Sequence, residues 1–290
     1  MIKWITRLLL LVLVVMASGC IDSTTTVHVR KDGSGTVTET VYVTRTMERM
    51  MAMMIGMAVA LSEDAEGKGS QATSVGKAHY ENRAGKIGED VSLVSFKKIK
   101  GRNGASGTKA VYAFKDVRKI SVSVEPDYAL PEAVKSSAAT NSTSSAGASG
   151  VTFEFRKAPK CELAVSLPWA EKARANILPR TGSRSGTRIP LEEIGMLRHV
   201  LDGFRARMRI TVDDIIADTD AQFVERGRAD PQKKYVVLYD LNIGEAVKNE
   251  AQLDQMAAIG PVPDMAEALV VFAGIPGMKI TRADKVKVSF

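Results

Sequence analysis

The chain contains little of what disulfide scaffolds and metal sites are made from. Its 290 residues include two cysteines and three histidines, too few for a disulfide framework or a multi-histidine zinc site. Aromatic residues make up only 6% of the sequence, but 45% is hydrophobic and 25% is charged. That composition excludes a wholly disordered protein, and the length suits one large domain or two modest ones.

A strong excess of charge of one sign is also missing. The chain has 40 Lys and Arg against 33 Asp and Glu, a net charge of +7. Two of the positive residues, Lys3 and Arg7, lie within residues 1–19, and without them the remaining 38 basic residues leave a net charge of +5. So small an excess gives no reason to expect nucleic acid as a partner.

The apolar run near the N-terminus is too short to cross a bilayer. It extends without interruption from Leu8 to Met16, whereas a helical span needs about 20 residues. Lys3 and Arg7 precede the run, and the small residues Ala17, Ser18 and Gly19 follow it. This order is typical of a signal peptide, which we predict over residues 1–19.

The cysteine after those small residues resembles the lipobox cysteine of bacterial lipoproteins. The resemblance implies that the Cys20 thiol receives a diacylglycerol, that the chain is cut before Cys20, and that the new amine is acylated with a chain such as palmitate. Several acyl chains give stable membrane anchoring. Ile21 in place of Asp favours the outer membrane, facing the periplasm. The alternative is a plain secretory signal or an uncleaved anchor.

Alternating β-branched residues predict a β-hairpin directly after Cys20. Two valine runs lie on either side of Asp32-Gly33-Ser34-Gly35, where glycine supplies the positive φ of a hairpin turn. His28 alternates out of phase with the valines and is expected on the solvent side. The valines are Val27, Val29, Val37, Val41 and Val43.

The rest of the sequence predicts further strands and a few helices. Apolar residues at helical spacing mark residues 45–61, 191–208 and 265–272. Residues 62–76 have the composition of a polar loop. Strands are predicted at residues 91–99, 110–114, 120–124, 151–155, 163–167, 208–212, 235–241, 278–280 and 286–290.

These elements predict an α+β fold, mostly antiparallel sheet with a few covering helices, because neighbouring strands dominate. Residues 131–150 are rich in Ser, Ala and Thr and form a flexible linker or insertion. They separate a first α+β part, residues 20–130, from a second, residues 151–290. The first part is either a unit of its own or half of one composite domain.

The hairpin after Cys20 resembles that of a group of uncharacterised bacterial lipoproteins, to which the LppM-like proteins are distantly related. The similar segments are Asp32-Gly33-Ser34-Gly35-Thr36, residues 110–117 and the closing residues 277–288. The resemblance implies an α+β extracytoplasmic domain on a lipid anchor. It implies no active-site residue.

Motifs for catalysis are largely missing. The sequence has no phosphate-binding loop, no His-Glu-x-x-His motif and no Gly-x-Ser-x-Gly motif. The acidic residues at 213, 214, 218 and 220 lack the spacing of a calcium loop, and His199 has no evident catalytic partner. Cys161 is expected to be a small, half-buried strand residue. We expect no enzyme activity and no cofactor.

Two clusters leave alternatives open. Met50, Met51 and Met54 could bind Cu(I) through their thioethers, but the same spacing is typical of a helix that packs into a core or lines a groove. The second cluster forms either a cationic edge facing anionic lipid heads or a charged helix flank. Its members are Arg198, Arg205, Arg207 and Arg209.

The function favoured by these observations is a non-catalytic interaction or scaffold module on a lipid anchor, with a possible envelope protein as partner. Sheet edges can recruit partners by strand addition without any motif. A carrier for lipid or another apolar ligand is the alternative, with the methionine-rich helix over the sheet as its groove. Copper binding and an envelope enzyme rank below both.

Overall fold

A computed structural model of the chain describes residues 21–45, 76–101, 104–125, 150–157, 159–170, 203–227, 230–259 and 265–290. The predicted signal peptide, the helix at 46–61, the linker at 131–149 and residues 191–202 lie outside the described residues. The strands are β1 (Ile21–Val29), β2 (Gly35–Val43), β3 (Ser92–Lys100), β4 (Ser106–Phe114), β5 (Ser121–Ser123), β6 (Gly150–Arg156), β7 (Glu162–Ser166), β8 (Arg205–Val212), β9 (Asp218–Thr219), β10 (Val224–Arg226), β11 (Lys234–Asn242), β12 (Lys279–Ile280) and β13 (Lys285–Ser289). The helices are α1 (Lys77–Ile87), α2 (Ile243–Ala246), α3 (Glu250–Ile259) and α4 (Met265–Phe272), with a 3-10 turn at Val117–Lys119.

Two sheets organise these strands. Sheet A has the order β10-β11-β8-β1-β2-β4-β3, with β12 also paired to β11, and sheet B has the order β5-β6-β7-β13-β9. Both sheets combine strands from before and after residues 131–149. The pairs are antiparallel except for β1 with β8. The mixed helix and strand content, with mainly antiparallel sheets, confirms that part of the fold prediction.

The predicted hairpin is present as β1 and β2. Val27 pairs with Val37, and Val29 pairs with Gly35. In the turn, Asp32 Oδ1 accepts hydrogen bonds from the Ser34 backbone N–H at 2.9 Å and from the Ser34 hydroxyl at 2.7 Å. Gly33 has a φ of +87°, a left-handed conformation that favours glycine.

One hydrophobic cluster includes side chains of both sheets. Val27 and Tyr112 from sheet A and Phe153 and Val286 from sheet B all belong to it. At the margin of the cluster, the Tyr239 hydroxyl donates to the Val124 carbonyl at 3.0 Å. The two sheets therefore bury their apolar residues together.

The helix predicted over residues 191–208 is wrong for its last residues, because Arg205 begins β8. Ala206, Met208 and Ile210 are fully buried, and the arginines between them are half-buried. This two-residue period is that of a strand. A helical spacing of Phe204 and Met208 fits the sequence equally well, and pairing with β1 and β11 decides for the strand.

Helix α1 has no counterpart in the sequence prediction. Its buried residues are Tyr80, Arg83, Ala84 and Ile87, which follow the i, i+3, i+4, i+7 spacing of an amphipathic helix. Because a charged residue occupies one of the buried positions, the apolar stripe is interrupted. The pairing of Arg83 with the sheet, described below, explains how that position is tolerated.

Candidate functional site at the start of β1

The first described residue, Ile21, immediately follows the predicted lipidation site at Cys20. Cys20 lies outside the described residues. Ile21 begins β1 and is 1% exposed, and β1 lies between β2 and β8 within sheet A. The residue that directly follows Cys20 is therefore part of sheet A.

One cross-strand row marks this end of sheet A. Ile21 pairs with Val43, Val43 with Ser106, and Ser106 with Lys100. We call the end of sheet A marked by this row the anchor end. The opposite end, with the Asp32–Gly35 turn, is the far end; it lies about 26 Å away, since β1 rises about 3.3 Å per residue.

The predicted arginine cluster lies partly on sheet A, close to the anchor end. Arg205 donates to Asp240 through Nε at 2.8 Å and through Nη2 at 2.6 Å. Arg207 Nη2 lies 3.1 Å from the same carboxylate. Arg198 lies outside the described residues. The described arginines thus project from a strand, rather than from a helix flank, and two of them pair with a buried carboxylate.

Neighbouring side chains extend this network across the sheet. Lys279 Nζ lies 2.6 Å from Glu225. Arg209 Nε donates to the Thr26 hydroxyl at 2.9 Å, and its guanidinium lies 4.2 Å from the centre of the Tyr235 ring. The arginines are consequently held in fixed positions by carboxylates, a hydroxyl and an aromatic face.

Burial is the largest influence on the pKa values of the acidic groups Asp240 and Asp22 in this network. It raises the pKa of Asp240, while the Arg205 guanidinium acts in the opposite direction. Burial also raises the pKa of Asp22, which the Asp240 carboxylate raises further and Arg205 lowers. Arg205 therefore opposes the effect of burial on the pKa of both carboxyl groups.

A second network lies beneath α1 and was not predicted. Arg83 Nη2 donates to Glu39 Oε1 at 2.9 Å, and the Tyr112 hydroxyl donates to Glu39 Oε2 at 3.3 Å. Burial and the Glu39 carboxylate raise the pKa of Tyr112. The only sequence signal was a charged residue within a Val- and Thr-rich strand, and its partner lies 44 positions away.

The acidic residues after β8 form ion pairs at the far end. Asp213 lies 2.9 Å from His28 Nε2, and Asp214 lies 2.6 Å from Lys31 Nζ. Burial lowers the pKa of His28, against the effect of Asp213. Within the described part of the chain, no group of three or more potential metal ligands occurs. Asp213 and Asp214 are therefore paired with basic side chains of β1 and of the turn that follows it.

The remaining candidates lie partly beyond the described residues. Met50, Met51 and Met54 are outside them, as is His199. Cys161 is buried and free, and its thiol lies 3.7 Å from the Lys31 carbonyl oxygen. Among the described helices, none has the length and hydrophobicity needed to span a membrane.

Comparisons with known proteins find little similarity. No protein-family model and no curated protein matches the chain. Among solved structures, it is similar to the NMR structure of the folded domain of LppM from Mycobacterium tuberculosis. The match has 9% identity and a TM-score of 0.27, and it covers 78% of this chain and 85% of that one. We draw no functional conclusion from so weak a match.

Proposed function

We propose that the chain is a lipid-anchored protein of the bacterial cell envelope, whose folded domain is a non-catalytic interaction module. The observation that carries this proposal is the position of Ile21, buried in β1 directly after Cys20. An acylated Cys20 would hold the anchor end of sheet A at the bilayer, without a spacer. We place the protein at the outer membrane, facing the periplasm, because Ile21 rather than Asp follows Cys20.

The side chains of β1 and β2 support an interaction role. On the face that carries Arg207 and Arg209, the central strands present Thr24, Thr26 and Thr38. Half-buried hydroxyls lie beside arginines that pair with Asp240, while Arg207 Nε is buried without a hydrogen-bond partner among the described residues. A polar surface of this kind suits recognition of an envelope protein.

Acylation can be tested with the two cysteines of the chain. The Cys20→Ala variant should remain as an unprocessed precursor that takes up no labelled palmitate in cells. The matched control, Cys161→Ala, removes a buried free thiol and should be processed and labelled normally. Normal labelling of Cys20→Ala would contradict the anchor.

The interaction role can be tested with a photo-crosslinking residue at Thr38, on the arginine-bearing face of sheet A. We expect a discrete adduct with one envelope protein, and none from Thr152, an exposed position on sheet B. Lipid extracted from the purified protein in equimolar amount, beyond the acyl groups on Cys20, together with no adduct at Thr38, would instead favour a lipid carrier.

A further inference from the structure

The hairpin formed by β3 and β4 has charge of one sign only. Residues 91–115 contain six basic residues and no acidic one, although the chain as a whole has 33 acidic residues against 40 basic ones. A uniformly basic segment of 25 residues is therefore a local feature that the modest net charge of the chain conceals. Its position in the fold decides what it can contact.

The turn of this hairpin lies at the anchor end. Lys100 ends β3 and belongs to the same cross-strand row as Ile21, through Ser106 and Val43. Three strand spacings of about 4.8 Å place Lys100 about 14 Å from Ile21 along the row. Lys98 is two pairs further from the end, opposite Thr108.

The basic side chains at this end are exposed. Lys97, Lys98 and Lys100 are all exposed, and no described carboxylate lies within ion-pair distance of them. Arg45, also exposed, follows β2 and donates through Nε to the Gly104 carbonyl at 3.3 Å. The hairpin end thus differs from the paired arginines of β8, since none of its lysines is paired with a carboxylate of the described residues.

Among the described residues of the anchor end, Asp22 lies on β1, and Asp240 and Glu245 lie on β11 and α2. Asp22 faces Arg205, which also pairs with Asp240. Glu245, in α2 after β11, lies 2.8 Å from Lys248. The described carboxylates of this end are therefore engaged with cations of their own side, and they leave the charge of the β3–β4 side uncompensated.

We propose that the β3–β4 hairpin end binds the anionic headgroups of the bilayer that holds the lipid anchor. The inference rests on the acylation of Cys20 proposed above, because only the absence of a spacer keeps these lysines at the membrane surface. Each Lys or Arg near an anionic surface adds to membrane attraction, which salt screens. The hairpin and the acyl chains then fix the orientation of sheet A on the membrane.

The test uses the mature, full-length protein purified from membranes and reconstituted into vesicles. One set contains phosphatidylcholine only, and a second includes phosphatidylglycerol as its anionic lipid. A membrane-impermeant acetylating reagent then labels lysines, which are mapped by mass spectrometry. We expect Lys98 and Lys100 to be labelled on the order of fivefold more slowly on anionic vesicles, with recovery in high salt. Lys287, exposed on sheet B, should react equally on both.

A triple variant separates charge attraction from simple proximity. The exposed Lys109 of β4 serves as the reporter, and in the parent protein it should be acetylated more slowly on anionic than on neutral vesicles. In Lys97→Gln/Lys98→Gln/Lys100→Gln, this protection of Lys109 from acetylation on anionic vesicles should be lost. The control, Lys285→Gln/Lys287→Gln on sheet B, should leave Lys109 protected. Equal labelling of Lys98 and Lys100 on neutral and anionic vesicles would overturn the inference.

The intact mass of the purified protein distinguishes this failure from failure of the anchor. An acylated protein with unprotected lysines contradicts only the headgroup contact. A protein without acyl groups contradicts the proposed anchor itself, and the headgroup contact with it.

Discussion

The two ends of sheet A differ in how their charged side chains are paired and in how closely their turn glycines are packed. At the far end, the Asp32–Gly35 turn packs against apolar side chains, and its exposed ions are paired across strands, as in Lys31 with Asp214. At the anchor end, the half-buried Asp22 of β1 and the buried Asp240 of β11 lie away from the exposed lysines of β3. The side chains of the far end therefore contact other parts of the protein, whereas the anchor end has exposed lysines that we propose contact the membrane.

The largest expected effect comes from the glycines of the two hairpin ends. A Cβ on Gly35 would clash with the His28 backbone oxygen, so Gly35→Ala should cost about 3 kcal/mol of unfolding free energy. A Cβ on Gly104, with φ +73°, would meet the flexible end of Arg45 at 2.9 Å, so Gly104→Ala should cost about 1 kcal/mol.

Urea unfolding of the detergent-solubilised protein measures both glycine variants. Gly85→Ala is the matched control, because nothing lies within 4 Å of its added Cβ and Ala favours the α1 helix. It should be slightly more stable than the parent. Equal losses at Gly35 and Gly104 would remove the distinction between the two hairpin ends.

Breaking one ion pair at each end should give the next largest difference. Arg205→Met leaves the buried Asp240 without its two-point partner and should cost about 2 kcal/mol at neutral pH. The loss should shrink in acid, because protonation of Asp240 removes the unpaired charge. Lys31→Met breaks an exposed pair and should leave the unfolding free energy unchanged within error. A larger loss of unfolding free energy in Lys31→Met than in Arg205→Met would contradict the assignment of the stronger ion pair to Arg205 and Asp240.

The pH dependence of the two ends should have opposite signs. At the far end, hydrogen bonds from Ser34 lower the pKa of Asp32, and Lys31 lowers that of Asp214. Their contribution to stability is complete above the ordinary pKa of 3.8 and disappears as pH falls through the lower folded values.

At the anchor end, burial raises the pKa of Asp22 and Asp240. The fold therefore gains stability from these two groups as pH falls through their raised values towards 3.8. Carboxyl NMR titration should show Asp22 and Asp240 titrating above 3.8, and Asp32 and Asp214 below it. Titration in the opposite order would show that burial does not determine the direction of the pKa shifts of Asp22 and Asp240.

The smallest effect on stability should come from the exposed lysines. Lys98→Gln/Lys100→Gln should change the midpoint of urea unfolding by no more than the error of the measurement, because neither side chain is buried or paired with a described carboxylate. A clear loss of stability would indicate that these lysines support the fold, and would weaken their assignment to the membrane.

The sequence predicted local features well and distant contacts poorly. The valine alternation and the Asp32–Gly35 turn predicted β1 and β2, and the apolar run at 235–241 predicted β11. The parallel pairing of β1 with β8 joins residues about 180 positions apart, and no local pattern indicates it. Helix α1 was not predicted because the buried Arg83 interrupts its apolar stripe. The partner that makes this burial possible, Glu39, is adjacent to Arg83 only in the folded protein.

The candidate site was predicted in part. The arginines of β8 were singled out, but they were assigned to a helix flank or a lipid-facing edge. Asp240 interrupts an otherwise apolar strand, and this interruption was the available signal that a cationic partner had to lie nearby. No sequence pattern distinguishes the exposed lysines of β3, because their significance depends on their row in sheet A.

The most direct test of the account measures which end of sheet A faces the bilayer. In a Cys161→Ala background, single cysteines at Arg45, near the anchor end, and at Arg30, at the far end, are labelled with a fluorophore; both arginines are exposed. The acylated protein is reconstituted into vesicles that contain lipids with a nitroxide headgroup quencher. The account predicts strong quenching at position 45 and little at position 30. Equal quenching at both positions, or stronger quenching at position 30, would contradict it.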